Sequence, residues 1–160
     1  MSISIRRILF PTDFSEPAKQ AGQYAMELAE KFGAELHLLH ILPEVTLPLP
    51  DSATSWTLPD IALKSRLEAA EKQLLQGLNT QWSGESQTVR TATVGVAVNE
   101  IVKYAKEHEI DLIVVGTHGH TGLSHLLLGS VAEKVVRLAS CPVLTVHPKG
   151  HQFLSDHTTK

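Results

Sequence analysis

The residues best placed to do chemistry lie between Gly116 and Ser130, in the run GTHGHTGLSHLLLGS. Glycines stand at 116, 119 and 129 and a serine follows at 130, giving the spacing G-x2-G-x9-G-S. Glycine tolerates positive φ and lets a ligand approach the backbone with no side chain in the way. The run follows LIVV (Leu112 to Val115), a continuous apolar stretch of the kind a buried parallel strand shows. It precedes VAEKVVRLA (Val131 to Ala139), with apolar residues at helical spacing. A glycine-rich loop between a buried strand and a helix start is suited to holding an anion, on backbone N–H groups and the positive end of the helix. The pattern is not G-x-x-x-x-G-K-[ST] and not G-x-G-x-x-G. The loop contains no lysine, so phosphates held there would rely on amides, the serine hydroxyl and the helix end.

This spacing resembles the nucleotide-binding motif of the universal stress protein family, in its ATP-binding branch. RRILFPTDFSEPA (Arg6 to Ala18) is similar to the family's first strand and loop, and ELHLLHIL (Glu35 to Leu42) to its second strand. GVAVNEIVKYAKE (Gly95 to Glu107) resembles its third helix, and LASCPVLTV (Leu138 to Val146) its closing strand. The likeness spans most of residues 3–147, leaving out the segment around 43–58 and the tail after 148. It implies a Rossmann-like, doubly wound five-stranded parallel sheet of order 3-2-1-4-5, in the adenine nucleotide alpha hydrolase-like group. It also implies an adenine nucleotide, as ATP, ADP or AMP, with Mg2+ or Mn2+ carried on the phosphates. The implied contacts are Pro11, Thr12 and Asp13 after the first strand, with the Asp13 carboxylate on ribose hydroxyls. Backbone groups of Ile41 and Val115 would face the adenine edge. Gly116, Gly119, His120, Gly129, Ser130 and Val131 would surround the phosphates. His120 stands where relatives often carry arginine or lysine, and Ala97 where they often carry proline.

Two of these residues have plainer readings. Asp13 precedes Ser15-Glu16-Pro17 and suits a helix cap or turn. Ser130-Val131-Ala132-Glu133 fits the capping box S-x-x-E. Nine histidines raise the question of a metal. His37 and His40 are three apart on a strand and so point to opposite faces. His118, His120 and His125 share the loop, but match no zinc spacing.

The elements that must position these residues alternate along the chain. Strands are expected at Ile3–Phe10, Leu36–Leu42, Thr88–Val94, Leu112–Val115 and Pro142–His147. Helices are expected at Ser15–Phe32, Pro59–Leu78, Val98–His108 and after Ser130. Ala18, Ala21, Ala25, Leu28, Ala29 and Phe32 fall on one face of the first helix, and Gly33 is its stop signal. Such alternation predicts a parallel sheet covered by helices on both faces. Ligands of such sheets bind beyond the carboxyl ends of the strands, where strand order reverses. With the family's order that switch lies between the first and fourth strands, where Pro11–Asp13 and Gly116–Gly119 leave the sheet.

At 160 residues one domain is expected, over 1–148, followed by a polar tail at 149–160. Proline density between Pro43 and Pro59 excludes regular structure there, leaving a surface loop or a flap over the ligand. Apolar content of 42% and charged content of 19% indicate a folded chain. A formal charge of −3 without a basic cluster argues against nucleic acid as a main partner. Cys141 is the single cysteine, so no intramolecular disulfide forms, in keeping with a reducing cytoplasm. Ile8 to Phe10 is too short for a signal-peptide apolar core, and no run is long enough to insert in a membrane.

Three function classes follow. One is an ATP-binding regulatory or stress-response protein with an unidentified protein partner. Another is a slow ATP hydrolase or nucleotide-dependent enzyme, against which stand the absent G-x-S-x-G elbow and phosphate lysine. The third is a purely structural partner protein, against which stands the intact glycine motif. The resemblance also implies a homodimer through the edge strand 142–147; the alternative is that the tail folds over that edge.

Overall fold

A computed structural model describes residues 3–48, 55–57, 60–79, 87–117 and 129–147. The elements are β1 (Arg7–Pro11), α1 (Glu16–Phe32), β2 (Glu35–Leu42), β3 (Thr46–Pro48), β4 (Ser55–Thr57), α2 (Asp60–Asn79), β5 (Thr88–Val94), α3 (Ala97–Glu107), β6 (Leu112–Gly116), α4 (Ser130–Leu138) and β7 (Val143–Val146).

Five strands form one parallel sheet in the order β5-β2-β1-β6-β7. Counting only the strands of that sheet, this is the expected order 3-2-1-4-5. The central strands are apolar on both faces because both faces are covered. Ile8 and Phe10 of β1, Leu36 and Leu38 of β2 and Val114 of β6 pack with α1 and with Leu74 of α2. The alternate residues Leu9, Leu39, Ile113 and Val115 pack with α3 and α4.

α1 lies close to the sheet because its inner face is Ala18, Ala21, Gly22, Ala25 and Ala29, all buried. A Cβ on Gly22 would sit 2.9 Å from Phe10 Cε1. Its ends are set locally. Ser15 Oγ accepts the Ala18 N–H at 3.3 Å, and Pro17 sits in the first turn, where its missing N–H costs nothing. Gly33 takes φ 62° at the other end. Its N–H donates to Glu30 O at 3.2 Å and that of Ala34 to Ala29 O at 2.8 Å, a Schellman ending.

The proline-rich segment departs from expectation. Instead of lacking regular structure, it contributes an antiparallel ribbon pairing Thr46 with Thr57, Leu47 with Trp56 and Pro48 with Ser55. A two-stranded ribbon consists only of edges, so a proline without an N–H is accommodated at a strand end.

Candidate functional site

The sheet opens where its strand order reverses. β1 pairs with β6 only at Ile8↔Leu112 and Leu9↔Ile113. On its other side, β1 stays paired with β2 as far as Pro11↔Leu39. Beyond Leu9 and Ile113 the two central strands part, and a cavity of about 270 Å³ occupies the gap. Pro11, Thr12 and Asp13 wall it from β1, Ile41 from β2, and Val115, Gly116 and Thr117 from β6. Gly129, Ser130, Val131 and Ala132 close it at the start of α4, while Ala97 and Ile101 of α3 and Ala18 of α1 complete it. Nine of the eleven residues expected at the site thus line one cavity; Gly119 and His120 lie outside the described residues. His118 and His125 do so as well.

The β1 exit is rigidly held. Thr12 N–H donates to Leu39 O at 2.9 Å, and the Thr12 carbonyl is 2.8 Å from His40 Nδ1. Thr12 Oγ1 accepts the Phe14 N–H at 3.0 Å, and Phe14 adopts φ 63°. Asp13 Oδ1 accepts the Ser15 N–H at 3.0 Å. Asp13 is therefore the turn residue of one reading and a cavity residue at once, while the helix cap is Ser15. His40 stacks under this turn, 4.4 Å from the Phe14 ring. His37 faces α3, on the sheet's other side.

The capping box at Ser130 does not form. Gly129 is the N-cap, and no side chain caps α4. The reason is non-local: Gly129 N–H donates to Thr117 O at 2.6 Å, and Glu133 N–H donates to Gly129 O at 2.9 Å. That places Ser130 inside the first turn and Glu133 one position past the capping site. Glu133 instead pairs with Arg137 at 3.1 Å. The Thr117–Gly129 bond joins the two ends of the glycine loop. The N–H groups of Ser130, Val131 and Ala132 belong to the first turn, which has no intrahelical partners for them.

Ile41 shows how the ladder leaves backbone groups at the cavity. Glu35 N–H donates to Arg6 O and Leu39 O accepts from Thr12, so odd residues of β2 face β1. Even residues face β5, as Leu36 N–H to Gln87 O and Gly95 N–H to Leu42 O show. Ile41 therefore turns its N–H and C=O toward β1 just past the point where β1 ends. One donor and one acceptor face the cavity side by side.

Ala18, Ala97, Ile101, Thr117 and Ala132 also line the cavity, although the motif does not include them. They are wall residues; Thr117 had a signal in its place inside the glycine run, and Ala97 in standing where relatives often carry proline. Among the described residues no three His, Cys, Asp or Glu side chains cluster as a metal site. No described helix is long and apolar enough to cross a membrane.

Comparison with known proteins places this geometry. The model of the universal stress protein family matches residues 4–147. Universal stress protein MJ0531 of Methanocaldococcus jannaschii is 38% identical over 144 residues, covering 88% of this chain and 81% of that protein. MJ0577 of the same organism is 32% identical over 162 residues, covering 94% and 99%. The structure of UspA from Lactobacillus plantarum superposes with a TM-score of 0.75 at 26% identity, covering 91% and 99%. More distant structures share the fold: a universal stress protein in complex with cAMP (24% identical, TM-score 0.60, covering 91% and 98%) and one from Archaeoglobus fulgidus in complex with dAMP (21%, 0.55, covering 90% and 98%). With most of its length matched by the family model and by full-length relatives, this chain belongs to the universal stress protein family.

Proposed function

We propose that this protein binds ATP in the cavity between β1 and β6 and acts as a nucleotide-dependent regulatory protein rather than a fast enzyme. The observation that carries the reading is the convergence of the β1 exit, the glycine-loop ends and the α4 N-terminus on one cavity. Relatives crystallised with cAMP and dAMP support an adenine nucleotide as the ligand. The base lies against Ile41 and Val115, with the Ile41 N–H donating to adenine N1 and its C=O accepting from the 6-amino group. Asp13 takes the ribose hydroxyls. The phosphates lie beside Gly129 on the N–H groups of Ser130 and Val131, next to the positive end of α4. Gly119 and His120 belong to the same phosphate loop by sequence. Mg2+ or Mn2+ arrives on the phosphates, which supply most of its oxygen ligands. The protein works in the cytoplasm as a homodimer and signals to a protein partner through its bound nucleotide.

Calorimetric titration with MgATP tests this. Gly129→Val puts a branched side chain at the N-cap of α4, on the cavity wall, and should abolish binding, with thermal unfolding still cooperative. Unchanged affinity in that variant would exclude this cavity as the site. Without a phosphate lysine, turnover in pure protein should stay well below about 1 per second.

A further inference from the structure

At the other end of α3 a buried polar cluster lies outside the nucleotide cavity. His37 projects from β2 toward α3 and is 4% exposed. Its Nδ1 is 3.0 Å from Tyr104 Oη, which is 3.3 Å from Thr91 Oγ1 on β5. Its Nε2 makes no hydrogen bond, although Glu35 Oε2 is 3.4 Å away. The Tyr104 ring stacks on His108 at 3.9 Å, and the His108 ring is 5.7 Å from that of His37. Charged groups reach this cluster from each neighbouring element. β1 supplies Arg7, 3.8 Å from Glu35 and 2.9 Å from Glu109. β2 supplies Glu35, α3 supplies Tyr104, its C-cap is His108, and the turn after it supplies Glu109; β5 presents the Thr91 hydroxyl.

His37 is almost wholly enclosed and its Nε2 is in no hydrogen bond, so an imidazolium charge is poorly compensated there, while Nδ1 and Tyr104 Oη share a hydrogen bond. Burial lowers the pKa of His37 below its ordinary 6.5; Glu35 pulls the other way, and His108 and Arg7 add to the lowering. The folded chain therefore takes up the proton later than the unfolded chain does. The docking of α3 on His37 is complete above the ordinary histidine range and weakens as pH falls below 6.5 toward the lower folded value.

α3 connects this cluster to the nucleotide. Ile101 lines the cavity one turn before Tyr104, and both side chains are buried in the same core. We propose that the His37–Tyr104 contact is an acid-sensitive latch on α3, and that releasing it lowers the affinity of the cavity for nucleotide. The second half rests on the nucleotide reading above; the first does not.

Amide hydrogen exchange of nucleotide-free protein between about pH 7.5 and pH 5 reads the latch directly, after correction for intrinsic exchange. Protection around Tyr104 should fall with acid in the wild type and stay flat in His37→Gln, which is neutral throughout. Glu35→Gln removes the carboxylate that favours the imidazolium, so its transition should move to lower pH. The same pH profile in wild type and His37→Gln, or an upward shift in Glu35→Gln, overturns the latch. MgATP titrations at the two ends of this range read the coupling. Wild-type affinity should fall about fivefold more than that of His37→Gln, a comparison in which protonation of ATP itself cancels. An equal fall overturns the coupling. A protein that binds no nucleotide at neutral pH overturns the nucleotide reading, and the exchange profile still decides the latch.

Discussion

At the scale of single residues, the proposed binding mode would draw its selectivity from backbone groups rather than side chains. Ile41 presents one donor and one acceptor to the cavity because β2 runs on after β1 has ended. Adenine offers an acceptor at N1 and a donor at its 6-amino group, which match. Guanine offers the reverse, a donor at N1 and an acceptor at O6. Two mismatched groups at a half-buried edge cost about 1 to 3 kcal/mol each. GTP should therefore bind at least about tenfold more weakly than ATP in parallel titrations. Equal affinities would mean that the base does not lie against Ile41. Because this readout belongs to the main chain, replacing Ile41 by valine should leave the ATP-to-GTP ratio unchanged. The Asp13 carboxylate differs in kind, since one of its oxygens accepts the Ser15 N–H. Its loss would disturb the β1 exit as well as any ribose contact, so it is a poorer probe of the base.

At the scale of elements, what the sequence shows is what is decided locally. α1 is legible in its alanine face and its Gly33 ending, whereas its cap is Ser15 rather than Asp13 and Phe32, in phase with the alanines, is 42% exposed at the last turn. The apolar runs of β1, β2 and β6 are legible for the same reason, since strands covered on both faces need no polar alternation. Sequence reasoning misplaced the start of α4 because Thr117, a dozen residues upstream, holds Gly129 at the N-cap. No local pattern reports such a bond. It also missed the ribbon from Thr46 to Thr57, because proline density argues against sheet interiors but not against edges. The wall residue Ile101 carries no motif, since packing alone brings this part of α3 to the cavity. Gly22 was equally silent, yet it sets the distance between α1 and the sheet. A side chain there would meet the buried Phe10 ring at 2.9 Å. Gly22→Val should cost about 1 to 3 kcal/mol through overpacking, outweighing any gain in helix propensity. Denaturant unfolding would show it as a lower midpoint at the same slope. A midpoint at or above that of the wild type would mean that the ring turns aside freely.

At the scale of the whole molecule, a parallel sheet of five strands has two edges, formed by β5 and β7. On β7, Pro142 O accepts from Ile113 and Val146 O from Thr117, so even-numbered residues face β6. Val143 and Thr145 turn their N–H and C=O groups outward. Among the described residues nothing pairs with this edge, and the tail offered as its cover lies outside them; such an edge invites another strand. Beside it, α4 leaves Val136 47% and Leu138 59% exposed, so apolar surface adjoins this edge. A second copy related by a two-fold axis would pair β7 with β7 in antiparallel fashion and cover both features. Sedimentation of the full chain at micromolar concentration should therefore report a dimer. Leu144→Lys places a charge beside the paired strands and should shift the equilibrium toward monomer. Because Leu144 also packs on the α1 core, a second variant separates dimer loss from misfolding. Thr145→Pro deletes an N–H that points away from β6, so it leaves the monomer's own ladder intact while blocking the edge. A folded, dimeric Thr145→Pro protein would place the interface elsewhere, with β5 as the other edge of the five-stranded sheet.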